Sequence, residues 1–582
     1  MTNVLLHRSR AFKRLAGSNV DILTFDGDTD YGVVRRTLEA RGDLDPGIQI
    51  RNMWEELRAA SDSALGKKLF QVRHRNKHFA PLGKGTGDNS LKRTRLADDG
   101  ETVRQVDYFR ADGSLLVSDR RDVPGKHKRN VTLCDHAGKP LHSWTRVSDL
   151  YYFWLDKVIG DDVAYLTIDS KTVANFMYQY RRDNAATIYL LHNSHLTAGE
   201  PAPYGRLTAS RLAGLQHLDE FDAVATLTSA QHRDLTGLLG DGGNLHVIPN
   251  SRSLPDVEES DGGRERTKGV VVARLSSTKR LNHAIQVIAN LEQDLRLDIY
   301  GSGSRHASLQ SLINKLGVQD SVKLWGHRDG AAEAFQSASF TMLTSKFEGF
   351  GLTLVEAMAV GCIPFAYDVK YGPSDIIEDG VSGFVIDFGD AAAMTEALKS
   401  FLAKPEHEVA AMREAARRRA RLFADDEVVR RWGGMFTQLE GQKQPVRGFD
   451  VRIKSADIRS TANGELVVEV EAASSRSLEA PIAHICFLGR ASDVAIRELT
   501  EAEPVSSGRT AATYKAVIAA EKYQWPETGI LDLFLDIRDS SGFARTRITA
   551  SKSNTGKQLA ENVSSYATKY GNLSLRFRAD AD

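Results

Sequence analysis

Between Val270 and Ala403, short apolar runs alternate with stretches of helical spacing. The runs are VVVARL (270–275), LRLDIYG (295–301), SVKLWG (321–326), FTMLTS (340–345), CIPFAYD (362–368) and GFVID (383–387), with helices predicted at about 282–292, 305–316, 352–360 and 391–403. Strands that are apolar along their whole length bury both faces. Their alternation with helices predicts a doubly wound parallel sheet, with ligands bound outside the carboxyl ends of its strands.

A chain of 582 residues is too long for one core, and the same rhythm recurs upstream. NVDILTFD (19–26), VAYLTID (163–169), TIYLLH (187–192), AVATLT (223–228) and LHVIPN (245–250) are predicted strands, and YGVVRRTLEAR (31–41) a helix. Residues 66–150 interrupt this pattern. Turn signals at DDG (98–100), ADG (111–113) and HAG (136–138) separate alternating runs such as VRQVDYF (103–109), which predicts an antiparallel meander. A polar linker (251–269) leads into the second α/β region, and the segment 407–440 is helical and arginine-rich. After GQKQPVRG (441–448) the chain alternates strongly to its end, as a β-sandwich of roughly 130 residues does. The expected organisation is an α/β chain: a first Rossmann-like lobe from 1–65 and 151–255, an inserted meander domain (66–150), a second lobe (256–440) and a C-terminal sandwich (447–582).

Lys+Arg and Asp+Glu both number 76, so net charge selects no partner. Cys134, Cys362 and Cys486 form no CxxC pair, which argues against a disulfide framework or a zinc site. No apolar run approaches the ~18 residues of a membrane span, and the opening MTNVLLHRSRAFKR has the wrong order for a secretory signal. A cytoplasmic protein, peripheral at the inner membrane face, is expected.

The most informative stretch is SKFEGFGLTLVEAMAVG (345–361). A strand ends, a glycine turn follows, and a helix begins near Leu352. Gly349 and Gly351 allow close backbone approach, and the amides of Phe350, Gly351 and Leu352 at a helix N-terminus favour a phosphate. Glu348 is placed to bond sugar hydroxyls and Glu356, eight positions on, to reach a ribose. In ARLSSTKRLNHA (273–284), Arg274 ends a strand and Lys279 precedes a helix. Two cations at the mouth of a parallel sheet can neutralise a diphosphate as it leaves. In the first lobe, HNSHL (192–196) puts His192 and His195 at a strand end facing the cleft, where a histidine can bond the sugar or the reacting oxygens.

Taken together, the Arg-x4-Lys pair, YGSGS (300–304), WGH (325–327), and Glu-x7-Glu followed by AMAVGCIP resemble the family-4 glycosyltransferases. The resemblance implies a GT-B fold of two Rossmann-like lobes and a retaining, metal-independent reaction. It assigns Arg274 and Lys279 to the diphosphate, Glu348 to the donor sugar and Glu356 to the ribose, with the base near Tyr300 and His327. Gly301, Gly303, His327, Gly349, Phe350, Gly351, Leu352 and His192 complete the substrate-binding set, and catalytic roles fall to His195 (favoured over His192), Glu348, Arg274 and Lys279. KYGPSDII (370–377), the meander, HNSH and HRSRAF followed by DILTFD resemble the poly(glycerol-phosphate) α-glucosyltransferases and wall teichoic acid α-N-acetylglucosaminyltransferases. They imply transfer of a hexose or N-acetylhexosamine from a UDP-sugar co-substrate, without cofactor, to an anionic glycopolymer. The rival readings are a transferase acting on Ser/Thr-rich surface proteins and a non-catalytic partner subunit of the same fold. Against the family pattern, Met1-Thr2 falls just past the opening strand and its paired-glycine turn.

Other features read as bland. Asp26-Gly27-Asp28 mimics a metal-binding DxD but sits where a turn belongs. GSGSRH (301–306) lacks the third glycine of a dinucleotide motif. REAARRRARLF (413–423) reads as a solvated helix face, and no nucleic-acid partner is expected. The segment 66–95 sets nine basic residues, Lys67, Lys68, Arg73 and Arg75 among them, against Asp88 alone. It reads equally as a grip on the polyanionic acceptor or as a solvated hairpin or subunit contact, the latter implying a homo-oligomer through the meander. The sandwich shows no clustered carboxylate or histidine set. It is expected to hold long polymer and to be dispensable for transfer to short acceptors.

Overall fold

The computed structural model describes residues 3–66, 79–82, 91–124, 128–197, 200, 202–203, 205–239, 243–255, 264–291, 294–442, 449–490, 495–504, 510–523, 525–539 and 542–578. The chain divides into two compact units, Met1–Ala164 and Tyr165–Asp582.

In the first unit, strands β1 (Val20–Thr24) and β2 (Ile48–Asn52) pair in parallel, Val20 opposite Ile48. Leu6 from the opening helix (Asn3–Ala16), Ile22, Tyr31, Ile48 and Ile50 form their buried cluster. Asp26 accepts hydrogen bonds from the Asp28 amide and the Thr29 hydroxyl, so the DxD-like triplet is a turn. The meander follows as β3 (Lys92–Leu96), β4 (Val103–Phe109), β5 (Leu115–Arg120), β6 (Asn130–Cys134) and β7 (Pro140–Trp144), each antiparallel to the next. The glycines of its DDG, ADG and HAG turns take φ of +70°, +80° and +78°. Lys67, Lys68, Arg73 and Arg75 lie outside the described residues. Of the remaining basic run, Lys92 pairs with Asp28 at 2.9 Å, Arg95 pairs with Asp122 at 2.7 Å, and Arg93 lies over the Phe109 ring.

The second unit holds two α/β sheets. The first has the order β11–β10–β9–β8, from β8 (Ala164–Ile168), β9 (Ala185–Leu191), β10 (Ala223–Thr226) and β11 (Leu245–Val247), with β10 parallel to both β9 and β11. The second is built from β12 (Glu265–Val272), β13 (Arg296–Tyr300), β14 (Val322–Gly326), β15 (Ala338–Leu343), β16 (Ile363–Tyr367) and β17 (Phe384–Ile386). All its pairs are parallel and its order is β14–β13–β12–β15–β16–β17. The chain therefore reverses its winding between β12 and β15, and that switch point is where a doubly wound sheet opens a crevice for ligands.

Residues 451–577 form two antiparallel sheets, of four and seven strands. Ile458, Val468 and Val470 from one share a buried core with Phe487, Leu533, Leu535 and Leu575 from the other. Tyr514 and Tyr523 are buried there and Trp525 packs against the same core, so these aromatics fill the interior.

The arginine run departs from its expectation. Arg413 in the helix Glu406–Arg421 is only 1% exposed and bonds the Ser339 hydroxyl, while Arg419 donates to the carbonyls of Asp375 and Ile376. These guanidiniums staple the helix to its neighbours, because backbone carbonyls and a hydroxyl face them there. Among the described residues no helix is long and apolar enough to cross a membrane, and no three His, Cys, Asp or Glu side chains converge as a metal-binding set.

Candidate active site

The two strands flanking the switch point deliver two groups of opposite charge that meet. After β12 the chain turns through Arg274 to Lys279, and after β15 it turns through Ser345 to Glu348. Lys279 Nζ lies 2.5 Å from Glu348 Oε1, which also accepts from the Ser345 hydroxyl at 2.6 Å. A small cavity lined by Ala273, Lys279, Thr344, Ser345 and Thr353 opens between these strand ends. Arg274 is exposed and has no ion pair among the described residues. Gly351, at φ +100°, turns the chain into the helix Leu352–Ala359, whose first amides have no partner of their own within the helix. Glu356 on that helix pairs with Arg252 Nε at 2.5 Å.

Arg252 was not singled out from the sequence. It sits in the polar linker, 104 positions from Glu356, and no periodicity connects them. Its amide bonds the Phe423 carbonyl, which fixes the linker against the C-terminal helices.

The HNSH element lies at the end of β9 and comes directly against the Glu348 turn. A side chain at Gly349 would put its Cβ 1.9 Å from the His192 carbonyl oxygen, so only glycine fits. His192 is partly exposed and its Nε2 lies 2.8 Å from Asp169 Oδ1. His195, favoured from the sequence, is 0% exposed and neither ring nitrogen has a hydrogen-bond partner in good geometry. Its ring stacks on Tyr371, 6.1 Å between centroids. The two histidines named from the sequence thus differ: His195 is sealed from solvent, while His192 is partly exposed and paired with a carboxylate.

Burial pushes the His195 pKa down to about 4, against opposing effects of the Asp234 carboxylate and the Pro203 backbone. The folded value lies below the ordinary 6.5, so the neutral ring's contribution is whole above pH 6.5 and is lost as pH falls towards 4. Urea unfolding at stepped pH should show stability falling through this window. His195→Leu should flatten the fall by at most about 3 kcal/mol; an unchanged slope would mean that the ring is protonated where it sits.

KYGPSDII crosses between the two α/β regions. The Tyr371 amide bonds the Glu348 carbonyl at 2.9 Å. Tyr371 Oη and Lys370 Nζ both donate to Asp234 at 2.8 Å, on the helix Ser229–Leu239. Asp375 accepts the Ser229 amide at that helix's N-terminus, at 2.8 Å.

Phe350 is 3% exposed and packs edge-on to Phe423, so only its backbone can face a ligand. Gly301 and Gly303 pack on the backbone of Ala273 and Leu275, where a Cβ would lie 1.9 and 2.3 Å from carbonyl oxygens. Their close packing alone accounts for glycine. His327 follows the edge strand β14 and is highly exposed, near Asp329, while Tyr300 stacks on Trp325.

Residues 259–419 match the family Glycosyl transferases group 1. With the two α/β sheets, this makes the chain a glycosyltransferase of the GT-B fold. It is 24% identical over 499 residues to the poly(glycerol-phosphate) alpha-glucosyltransferase of Bacillus subtilis, covering 75% of this chain and 73% of that protein. It is 22% identical over 433 residues to the poly(ribitol-phosphate) alpha-N-acetylglucosaminyltransferase of Staphylococcus aureus, covering 66% and 86%. The crystal structure of S. aureus TarM in complex with fondaparinux, alpha-GlcNAc-glycerol and UDP superposes with a TM-score of 0.54 at 19% identity, over 75% of this chain and 96% of that one.

Proposed function

We propose that this enzyme transfers a hexose or N-acetylhexosamine from a UDP-sugar, with retention of configuration, to hydroxyls of a poly(glycerol-phosphate) or poly(ribitol-phosphate) polymer. The observation that carries the reading is the Lys279–Glu348 pair at the switch point of the second sheet. An ammonium has three donors, so the bond to Glu348 leaves two for diphosphate oxygens. Arg274 and the amides at the start of the Leu352 helix add to that anion site. Glu348 keeps acceptor capacity for sugar hydroxyls, and Glu356, steadied by Arg252, addresses the ribose. As the acceptor oxygen bonds the anomeric carbon, the bond to the diphosphate oxygen breaks and UDP leaves with its electron pair. The acceptor proton passes to the departing phosphate. His192, oriented by Asp169, lines the acceptor side.

In this reading the meander is an inserted domain and the two C-terminal sheets form a sandwich, both serving acceptor contact or assembly, in a cytoplasmic enzyme working at the membrane face. The names of the two relatives support the class of sugar transferred and the acceptor class, and the UDP in the TarM complex supports the nucleotide. The test is initial-rate measurement with UDP-glucose and UDP-N-acetylglucosamine on purified poly(glycerol phosphate), poly(ribitol phosphate) and a Ser/Thr-rich peptide, with and without EDTA. Transfer to a polyol-phosphate polymer that survives EDTA is expected, because cations and helix amides do the work of a metal. Transfer to the peptide alone, or a strict Mg²⁺ requirement, would contradict the reading.

A further inference from the structure

Lys279 is followed by a residue in an uncommon backbone state. Arg280 has φ +45° and ψ +40°, the left-handed region, without being glycine. A side chain there is strained, and such strain persists only where surrounding contacts over-determine it. Those contacts come from β15 and the turn after it. The hydroxyl of Thr344, a residue 1% exposed, approaches the carbonyl of Lys279 at 3.0 Å and that of Arg280 at 3.1 Å. The Lys346 amide donates to the Thr278 carbonyl at 2.8 Å. The Arg280 guanidinium is held in turn: it meets His283 Nε2 at 2.7 Å, His283 Nδ1 meets the Tyr367 hydroxyl at 2.8 Å, and the Phe388 ring lies 5.0 Å beneath it.

The consequence is geometric. Thr344 belongs to the strand end that leads into Ser345 and Glu348, and it grips the turn that carries Lys279. One hydroxyl thus ties together the two loops whose charged groups meet at 2.5 Å. We infer that Thr344 is a positioning residue, which sets the Lys279 ammonium for phosphate by holding the carbonyls on either side of the left-handed step at Arg280. A packed threonine methyl alone would not need to face two carbonyls. Valine, with the same shape, separates the two roles.

This inference rests on the proposed role of Lys279 at the donor diphosphate. The test is calorimetric titration of UDP into the full chain as wild type, Lys279→Ala, Thr344→Val, Thr344→Ser and the Lys279→Ala/Thr344→Val double variant. Lys279→Ala should weaken UDP about tenfold or more, and Thr344→Val about five- to tenfold. Thr344→Ser should stay within about twofold, since it keeps the hydroxyl, and the double variant should be no weaker than Lys279→Ala alone, because residues acting through one contact do not add. A merely structural threonine would lower the unfolding temperature and leave UDP affinity of the folded protein unchanged.

Should Thr344→Val alone not fold, Arg280→Gly in the same background supplies a left-handed turn that needs no holding. Recovery of UDP affinity supports the proposal, and a folded protein without recovery overturns it. Wild-type UDP affinity in Thr344→Val, or losses that multiply in the double variant, would overturn it while leaving the donor site standing. Wild-type affinity in Lys279→Ala would remove the donor-site reading and this inference together.

Discussion

Glu348→Gln should lower turnover by about 10- to 150-fold and leave the fold intact. Its carboxylate accepts from Lys279 at 2.5 Å and Ser345 at 2.6 Å, and it sits at the rim of a crevice rather than in a packed core. Glutamine keeps the shape and one acceptor but loses the charge. Hydrogen bonds to charged groups contribute roughly 1.5–3 kcal/mol, which converts to that range of rates at about 1.4 kcal/mol per factor of ten. Steady-state kinetics with saturating acceptor measures it. Thermal unfolding of the same variant should stay near wild type, since Glu348 is partly exposed in a loop and fills no part of the apolar core. Glu356→Gln, which leaves Arg252 without its carboxylate partner, should follow the same pattern. Wild-type turnover in both variants would remove the donor-site assignment.

Arg497→Leu carries the largest expected stability loss, about 3–5 kcal/mol, because it strands buried carboxylates. Its side chain is 2% exposed and pairs with both Asp219 and Asp536. Asp536 is also held by Arg545 through two bonds of 2.7 Å, and Arg545 continues to the Gln216 carbonyl at 2.8 Å. Burial pushes the Asp536 pKa up, but Arg545 and Arg497 outweigh it and hold the carboxyl well below the usual carboxylate range. The sign follows: stability from Asp536 is present at neutral pH and is lost as pH falls below the ordinary value of about 4. Urea unfolding of Arg497→Leu at pH 7 checks the magnitude, and a loss under about 1 kcal/mol would show that Asp219 and Asp536 find other partners.

This network gives the C-terminal sheets a supporting task beside the acceptor contact or assembly proposed for them. Asp219 and Gln216 lie in the first α/β region, and nearby Arg211 donates to the Ser194 carbonyl at 2.7 Å. Removing residues 447–582 would therefore strip charge partners from the segment that supports the HNSH loop. The deletion should damage short-acceptor transfer as well as long, contrary to the dispensability expected from sequence. The absence of a catalytic cluster in those strands said nothing about the surface they cover.

What could be read in the sequence follows the range of the forces involved. Continuously apolar runs marked the parallel strands because burial on both faces is a local property, and each of the four helices predicted between 282 and 403 is present. That Lys279 and Glu348 serve one crevice was legible because each residue follows a strand end; their ion pair was not, since it depends on the sheet order that sets β12 beside β15. Arg252 was not, since its partner is set by how the linker folds back over the Leu352 helix. His192 and His195 are three positions apart in one polar loop, and nothing local distinguishes the one facing Asp169 from the one sealed behind Tyr371. Arg413 and Arg419 were misjudged for a related reason: alanine spacing reveals a buried helix face but not the carbonyls and hydroxyl waiting beside it.

The account stands on a donor diphosphate held between the turns after β12 and β15. Hydrogen–deuterium exchange of the full chain with and without saturating UDP tests this most directly. Protection concentrated in 274–281 and 345–356, and lost in Lys279→Ala, is the predicted result. Protection elsewhere with these two turns unchanged, or none at a UDP concentration shown by calorimetry to saturate, would contradict it.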